Sequence, residues 1–514
     1  MRMIKYILPL FMAVLFVSCF EDESTDATRI LSEITIDAQS VSAEYNIEKN
    51  DILEITPVVT QTNDKLPLSF SWEIEQKVVS NEETLSYKAT TLGTFNCRLI
   101  VENEDGKAFH IFKLNVNSPY EEGITVLSKD ADNRPMLSFM QTATSPDEEQ
   151  QFYSGDCFSV NNEGLFFASN PSDIIQTKGS LIIACQGGDV SPEDESTIYF
   201  LNEKTLVMEN IVKGGEYPSF KPTKLLIPSV SSEGVSYPVL SADGKVYALP
   251  TYNALLQPSS KLLSTYAQTA FVAGTNYYDV ILWDKEVNNV ALLYNNYGPY
   301  YCGSKYLLMR TDSAFATDDY YVKNFSKLKG VRTLTYINRT KEQEATADRE
   351  FIAIVEAPLM LQKVVLSTFF WEPVAGKTGE YVVLDNNGFT KAASRSYALI
   401  NEFTPCIANA TFKTMLFASG NKVLKWFYTK EEKEGGKQYL LEDAEELLSV
   451  GSEDAVITSF EISADHRKTY VAFYEPMQEG LNGSVWVFDT DKGTVLEKYE
   501  NVCYKPVKMF YKNK

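Results

Sequence analysis

The sequence after residue 124 repeats one local pattern, in which an apolar strand, a polar turn and a second apolar strand follow one another. One form places Asn or Asp directly after an apolar or aromatic pair, in "IYFLNEKTLVMENI", "VILWDKEVNNVALLY", "YVVLDNNGFTKAASRSY" and "VWVFDTDKGTVLEKY". A second form precedes several of these, in "CFSVNNEGLFFAS", "PVLSADGKVYALP", "TMLFASGNKVLKWFY" and "FEISADHRKTYVAFY". We interpret each as a hairpin. Two alternating hairpins give four antiparallel strands per unit, which is the blade of a β-propeller.

Residues 124–514 are therefore expected to form a β-propeller, and at roughly 40–60 residues a blade they predict seven blades, with six or eight as the alternatives. The repeat spacing is irregular, so some blades carry long loops. Closure is expected to place residues 505–512 beside the strand at 124–129. Residues 437–450 carry leucines at helical spacing and predict one inserted helix. The competing architecture is two stacked sandwiches.

Residues 31–118 predict a separate β-sandwich, because short runs of alternating apolar residues are divided by frequent turn signals. Trp72 lies mid-strand, as a core tryptophan does. Residues 96–116 predict a hairpin in which Asp105-Gly106 supplies positive φ values. This region resembles a PKD-type immunoglobulin-like domain. The boundary is placed at 117–123, where Pro119 interrupts the pattern.

The N-terminus combines two basic residues with a short apolar run that ends at Cys19. The run is too short to cross a bilayer, which takes about 20 apolar residues, and is typical of an export signal. Residues 1–18 resemble a bacterial lipoprotein signal, which implies that Cys19 is acylated. The acidic tract in 19–30 resembles the outer-leaflet export tag of Bacteroidetes lipoproteins and otherwise predicts a solvated tether. A plain secretory signal is the alternative.

Net charge and cysteine spacing limit the classes of ligand and site that this chain is expected to have. The net charge is −22, which repels phosphate backbones and argues against nucleic acid. Six cysteines follow Cys19, and the closest two, Cys157 and Cys185, are too far apart in sequence for a CxxC metal or redox motif. Disulfides and buried single thiols both remain open.

Candidates for catalysis are few, because the chain has only two histidines, His110 and His466. They fall in different predicted domains, so a three-histidine zinc site is excluded. We interpret His110 as a structural strand residue and His466 as part of a hairpin turn. Asp489 and Asp491 could suggest calcium, but a blade turn with solvated acids fits better. We expect no catalytic residues, metal or cofactor.

Tyrosines are the most suggestive binding feature. Tyr297, Tyr300 and Tyr301 fall around Gly298-Pro299, which predicts a turn, and Tyr320 and Tyr321 follow in a second segment. Exposed tyrosines offer flat apolar faces with a hydroxyl, suited to sugars or peptides. The alternative is that they pack between neighbouring blades.

The whole arrangement resembles the PKD-like family of Bacteroidetes surface lipoproteins, often found with SusC/SusD-type outer-membrane importers. The resemblance implies a non-catalytic subunit, anchored to the outer membrane and facing outward, that binds peptide or glycan nutrients or associates with such an importer. One alternative is a propeller-fold glycoside hydrolase or lyase acting on polysaccharide through two carboxylates. Another is a structural subunit or adhesin.

Overall fold

The structure is a computed structural model that describes residues 31–141, 153–177, 179–188, 194–215, 217–226, 237–244, 246–249, 270–273, 278–284, 289–294, 299–301, 307–311, 331–344, 349–357, 360–373, 380–386, 391–394, 396, 398–428 and 440–512. The chain divides into two compact units, Met1–Ser118 and Pro119–Lys514. None of the described helices is both long and apolar enough to span a bilayer.

The first unit is built entirely from strands over residues 31–118. They are β1 Ile34–Ile36, β2 Glu44–Glu48, β3 Ile52–Ile55, β4 Val59–Gln61, β5 Ser69–Ile74, β6 Lys77–Ser80, β7 Leu85–Lys88, β8 Gly93–Asn103 and β9 Gly106–Asn117. A five-stranded sheet runs β2-β9-β8-β5-β6, and β3-β7 and β1-β4 pair separately. Its core surrounds Trp72, which is buried and donates from Nε1 to the Glu82 carbonyl at 3.0 Å. Its PKD-type identity stays a prediction.

The β8–β9 hairpin is confirmed, but its turn is not built as expected. Neither Asp105 nor Gly106 has a positive φ. Instead, the Asn103 side-chain oxygen accepts hydrogen bonds from the N–H groups of Asp105 and Gly106, at 2.9 Å each. An Asx turn therefore closes this hairpin without left-handed backbone. His110 lies half-buried on β9, consistent with its interpretation as a strand residue.

The described part of the second unit consists mainly of antiparallel sheets with little helix. The strands of the first three sheets are β10 Gly123–Lys129, β11 Pro135–Met140, β12 Tyr153–Ser154, β13 Pro171–Thr177, β14 Ser180–Cys185, β15 Thr197–Asn202, β16 Met208–Lys213, β17 Pro222–Leu225, β18 Tyr237–Ser241 and β19 Val246–Leu249. They pair as β12-β11-β10 with the last strand β38 Lys505–Lys512, as β13-β14-β15-β16, and as β17-β18-β19.

The remaining strands complete the unit. They are β20 Ala270–Ala273, β21 Tyr278–Asp284, β22 Asn289–Tyr294, β23 Pro299–Tyr301, β24 Leu307–Thr311, β25 Val331–Asn338, β26 Arg349–Ala357, β27 Met360–Pro373, β28 Glu380–Asn386, β29 Lys391–Ser394, β30 Cys406–Asn409, β31 Thr414–Ser419, β32 Lys422–Phe427, β33 Glu445–Ser449, β34 Val456–Ile462, β35 Lys468–Tyr474, β36 Gly483–Asp489 and β37 Val495–Cys503. β20-β21-β22-β23 and β34-β35-β36-β37 are four-stranded, and β24–β33 form one ten-stranded sheet. Among the described strands of this unit, the parallel pairs are β24–β28 and β25–β30.

These sheets meet through their edge strands. β38 contacts both β34 and β13, β13 contacts β17, and β30 contacts β34 and pairs with β25. Four-stranded antiparallel sheets whose inner strands contact one another around an axis form a β-propeller. The prediction of a propeller is confirmed, and the alternative of two stacked sandwiches is wrong. The number of blades stays a prediction.

Closure of the propeller is also confirmed. β38 pairs antiparallel with β10, from Gly123 opposite Lys512 to Lys129 opposite Lys505. A strand from the end of the chain therefore completes the sheet that begins the unit, which joins the two ends of the propeller by backbone hydrogen bonds.

Three local predictions are wrong. The helix expected at 437–450 is, from residue 440 on, a 3₁₀ turn at Leu441–Asp443 followed by β33, because cross-strand pairing with β32 overrides the leucine spacing. "YVVLDNNGFTKAASRSY" is not a hairpin, since β28 and β29 both pair with β27. "CFSVNNEGLFFAS" begins with helix α1, Cys157–Asn161, and continues as coil. A second short helix, α2, spans Lys341–Glu344.

Candidate functional site

The segment that replaces the expected hairpin after β12 builds one wall of a pocket. The Asp156 side chain caps α1 by accepting from the Ser159 N–H at 3.3 Å. After the helix, the Asn162 amide donates to the carbonyls of Phe158 at 2.9 Å and Leu206 at 2.8 Å. The Met208 N–H in turn donates to the Asn162 side-chain oxygen at 2.6 Å. One asparagine thus ties the segment to the β15–β16 hairpin.

The pocket lies between this segment and the sheet β13–β16 and has a volume of about 890 Å³. Its apolar lining includes Phe158, Leu165, Phe166, Phe167, Tyr199 and Ile211. Its charged lining consists of Arg134, Asp156, Asp194 and Lys213. The size and the mixture of an apolar interior with a few polar groups are typical of small-molecule and peptide side-chain sites.

The aromatic rings of the pocket form a fixed stack. The Phe158 and Phe167 rings are 3.8 Å apart between centroids, and Phe167 meets Tyr199 edge-on at 4.9 Å. The Tyr199 hydroxyl accepts from the Ala168 N–H at 2.7 Å, and burial raises the pKa of Tyr199 to about 12. The tyrosine is therefore a neutral structural member of the wall.

Phe166 differs from its neighbours because its side chain is 80% exposed. Leu165 and Ile211 beside it are also exposed apolar residues. A phenyl ring held in water at the mouth of a pocket gains free energy when an apolar group covers it, by about 25 cal/mol for each Å² buried. Phe166 is the side chain best placed to meet a ligand.

The charged groups of the pocket already have protein partners. Lys213 pairs with Glu195 at 2.8 Å and Arg134 with Asp132 at 3.2 Å. The Asp194 carboxylate accepts from the Ser169 N–H at 2.8 Å. The four charged lining residues are two of each sign, and the apolar residues of the interior offer the surface that an apolar ligand group can cover.

A second group of charged side chains lies where the innermost strands of the propeller meet, and we call Asp173, Lys224, Glu461 and Lys508 the axial cluster. Asp173 is 3% exposed. Its carboxylate accepts from Lys508 Nζ at 2.6 Å and from the Leu225 N–H at 2.7 Å. One aspartate on β13 thereby joins β38 on one side and β17 on the other.

Burial shifts the ionisation of the other two members. Burial lowers the pKa of Lys224, Asp173 opposes that shift and Lys508 adds to it. Burial raises the pKa of Glu461 to about 7, although the Ile462 N–H and Lys508 pull it down. Such shifts concentrate where proteins bind or react, although ion-pair networks also produce them.

The Glu461 shift predicts a pH dependence of stability. Because the folded pKa is raised from 4.5 to about 7, the folded state binds more protons across that interval, so the free energy of unfolding falls as pH rises through it. We expect a loss of about 1–3 kcal/mol between about pH 4.5 and pH 8 that Glu461→Gln removes. Urea unfolding of both proteins at several pH values measures this; parallel pH profiles would contradict it.

Most of the residues predicted as a binding site cannot be placed. Cys19, Tyr297, Tyr320 and Tyr321 lie outside the described residues. Only the backbone is described for Tyr300 and Tyr301, and it belongs to β23, where they pair with Leu292 and Ala291 of β22. The backbone of Tyr300 and Tyr301 is therefore strand, and Pro299 begins that strand, a position that proline tolerates. Their role in binding stays a prediction.

The turn residues considered for chemistry have structural roles. His466 is buried in the β34–β35 turn with φ 62°, and its Nδ1 lies 2.8 Å from Thr411 Oγ1. Burial lowers the pKa of His466. The Asp489 side chain accepts hydrogen bonds from the N–H groups of Asp491 and Lys492. The turn predicted here is therefore an Asx turn.

The cysteines that the structure describes are unpaired. Four of them are buried, and Cys406 is partly buried beside the hydroxyls of Thr333 and Thr335, at 3.3 and 2.9 Å. Across the described part of the chain, no three His, Cys, Asp or Glu residues are grouped so that they could hold a metal ion.

Sequence reasoning missed both sites for identifiable reasons. The sequence pattern of the pocket wall predicts a hairpin, although Asp156 and Ser159 have the spacing of a helix cap and the adjacent Phe166 and Phe167 interrupt the strand alternation. The axial cluster left a weaker signal, which is a charged residue in the interior of a short strand, as Asp173 is in "PSDIIQT" and Lys508 is in "KPVKMFYK".

No family model matches the chain, and no curated protein matches it. Among solved structures, it is similar to a quinoprotein alcohol dehydrogenase-like protein from Bacteroides thetaiotaomicron, over 93% of this chain and 99% of that one, at 16% identity and a TM-score of 0.47. BamB from Moraxella catarrhalis is matched over 69% and 94%, at 8% identity and 0.33. A DUF4623 family protein from Bacteroides eggerthii is matched over 91% and 95%, at 10% and 0.25. At such values these likenesses say nothing of activity.

Proposed function

We propose that this protein is a non-catalytic, lipid-anchored protein of the outer cell surface that captures extracellular peptides in the pocket of its propeller unit. Acylated Cys19 would hold it in the outer membrane, and residues 31–118 would act as a spacer. The observation that carries the proposal is the pocket itself, with an exposed phenyl ring at its mouth and a fixed aromatic wall behind it.

The chemistry of the lining favours peptide over glycan. A sugar presents many hydroxyl groups and needs free hydrogen-bonding side chains in the site. Here the Tyr199 hydroxyl is bonded to Ala168, and Asp194 and Lys213 are bonded to protein partners. The open surface around Phe166 is apolar, which suits an apolar side chain of a peptide.

The test compares Phe166→Ser with the matched control Phe403→Ser, because Phe403 is an equally exposed phenylalanine, at 84%, that does not line the pocket. Binding of Gly-Leu-Gly, Gly-Phe-Gly and cellobiose is measured by calorimetry. We expect the tripeptides to bind, and Phe166→Ser to weaken them by about tenfold or more, since covering a phenyl ring is worth about 1.5–3 kcal/mol.

The control variant should bind the tripeptides as the unchanged protein does. Preference for cellobiose would contradict the peptide assignment, and equal affinity of both serine variants would contradict the pocket. Conversion of cellobiose or peptide to product would favour the alternative of an enzyme. Association with a SusC/SusD-type importer rests on the family resemblance, and recovery of such a transporter with the detergent-extracted protein tests it.

A further inference from the structure

The outer face of the five-stranded sheet in the first unit carries an apolar patch. Successive residues of β9 alternate between the two faces of the sheet, and Phe112 and Leu114 belong to the buried core. Phe109 and Ile111 therefore point the other way, and they are 55% and 71% exposed. Ile100 of β8 lies opposite Phe109 and is partly exposed. We call Ile100, Phe109 and Ile111 the β9 patch.

The charged side chains beside the β9 patch form two ion pairs. Arg98 pairs with Glu73 at 2.6 Å, and its guanidinium carbon lies 5.6 Å from the centre of the Phe109 ring. Lys107 pairs with Glu102 at 2.7 Å. The chain as a whole has a net charge of −22, whereas these two pairs carry no net charge. The border of the patch is thus better suited to approach a lipid surface than an acidic surface is.

The chain enters the first unit beside the hairpin that carries this patch. The Ser32 N–H donates to Asp105 Oδ2 at 2.9 Å, and the Asn103 amide donates to the Ser32 carbonyl at 3.3 Å. Ser32 is thereby fixed to the β8–β9 turn, which lies about 10–17 Å along β9 from the patch at the rise of a strand. The segment from Cys19 to Ser32 reaches at most about 45 Å. A lipid anchor at Cys19 would therefore keep the bilayer within reach of the patch.

We propose that the β9 patch lies against the lipid surface of the membrane, with Phe109 and Ile111 inserted at the level of the head groups. This inference rests on the proposed acylation of Cys19, and it adds which face the first unit turns to the bilayer. Two apolar side chains alone would bind a bilayer weakly. A short tether holds the patch at an effective concentration of about 1 mM or more, at which weak contact is sufficient.

The test uses residues 19–514 with Cys19→Ser and an N-terminal hexahistidine tag in place of the acyl group. The tag holds this protein on phosphatidylcholine vesicles that contain a nickel-chelating lipid, prepared with and without brominated phosphatidylcholine. Bromine quenches a tryptophan that enters the bilayer, so Phe109→Trp should gain emission that only the brominated vesicles quench. Ile52→Trp is the matched control, because Ile52 is 59% exposed on β3, which belongs to a different sheet of the same unit. Its added emission should be the same on both kinds of vesicle.

Loss of the patch should also weaken attachment. At a fixed imidazole concentration that competes with the tag, Ile111→Ser should weaken vesicle binding by about fivefold or more, because it removes apolar area that the lipid covers. Ile52→Ser should bind as the unchanged protein does. Raising NaCl from about 0.1 M to about 0.5 M should not release the protein, because salt screens charges and leaves apolar contact in place.

Three results would overturn the proposal. The first is Phe109→Trp emission that is the same on brominated and unbrominated vesicles, and the second is an Ile111→Ser protein that binds vesicles normally. The third is a dimer in solution that Ile111→Ser makes monomeric, which would assign the patch to a second copy of the chain. Because the tag replaces the acyl group, none of these results depends on whether Cys19 is acylated in the native protein.

Discussion

Deletion of residues 505–514 is expected to unfold the second unit. The deletion removes β38, which forms the inner edge of the sheet β12-β11-β10-β38 and contacts β13 and β34 of the neighbouring sheets. It also removes Met509, Phe510 and Lys512, which are all buried. The Lys512 ammonium group donates to the backbone carbonyls of Tyr120 and Glu203, so those carbonyls lose this donor as well.

The expected loss is larger than the stability of an ordinary domain, which is about 5–15 kcal/mol, because an entire strand and its buried side chains are lost together. Circular dichroism and urea unfolding measure the effect. Deletion of residues 513–514 alone is the matched control and should leave the unfolding midpoint unchanged. If the protein that lacks residues 505–514 still unfolded cooperatively, at the same urea midpoint as the unchanged protein, closure of the propeller by β38 would be contradicted.

Asp173→Ala is expected to cost about 2–4 kcal/mol of unfolding free energy, because it leaves the half-buried Lys508 ammonium group and the Leu225 N–H without their shared acceptor. The carboxylate is 3% exposed and accepts from Lys508 Nζ and from the Leu225 N–H, so its loss affects three inner strands at once. Chemical denaturation measures the change. Asp132→Ala, at an exposed aspartate that pairs with Arg134 at 3.2 Å, is the control and should cost less than about 1 kcal/mol.

Adding Lys508→Met to Asp173→Ala should recover part of that loss, because the second change removes the unpaired charge that the first one leaves. Additive losses in the double variant would show that the two side chains act independently. A single variant within about 1 kcal/mol of the unchanged protein would show that the axial pair does not hold the inner strands together.

The propeller could be predicted because its hairpins leave strong local signals. Alternating apolar residues around short polar turns identify β15–β16 and β36–β37, and "SADG" and "SADH" mark turns in which Gly244 and His466 both have positive φ. The partner of β38, which is β10, is distant in sequence. Closure of a propeller nevertheless predicts this pair, because the first and last strands of the ring must join in one sheet.

The candidate sites could not be predicted as well, because they depend on contacts between distant segments. Asn162 holds the pocket wall in place through hydrogen bonds to the backbone of Leu206 and Met208. No local sequence pattern predicts these bonds. The leucines of 440–448 have helical spacing, yet Leu440 and Leu441 lie at a 3₁₀ turn, and pairing with β32 places Leu447 and Leu448 in a strand. Asp173 pairs with Lys508, which is 335 residues away in the sequence, so this pairing appears only in the folded chain.

The proposed surface role is tested most directly by the state of Cys19 in the native protein. Mass spectrometry of the protein extracted from its own cells should find a mature N-terminus at Cys19 that carries acyl chains, and protease added to intact cells should digest the protein. An unmodified residue 19, or a protein that added protease reaches only after the cells are broken, would contradict the account.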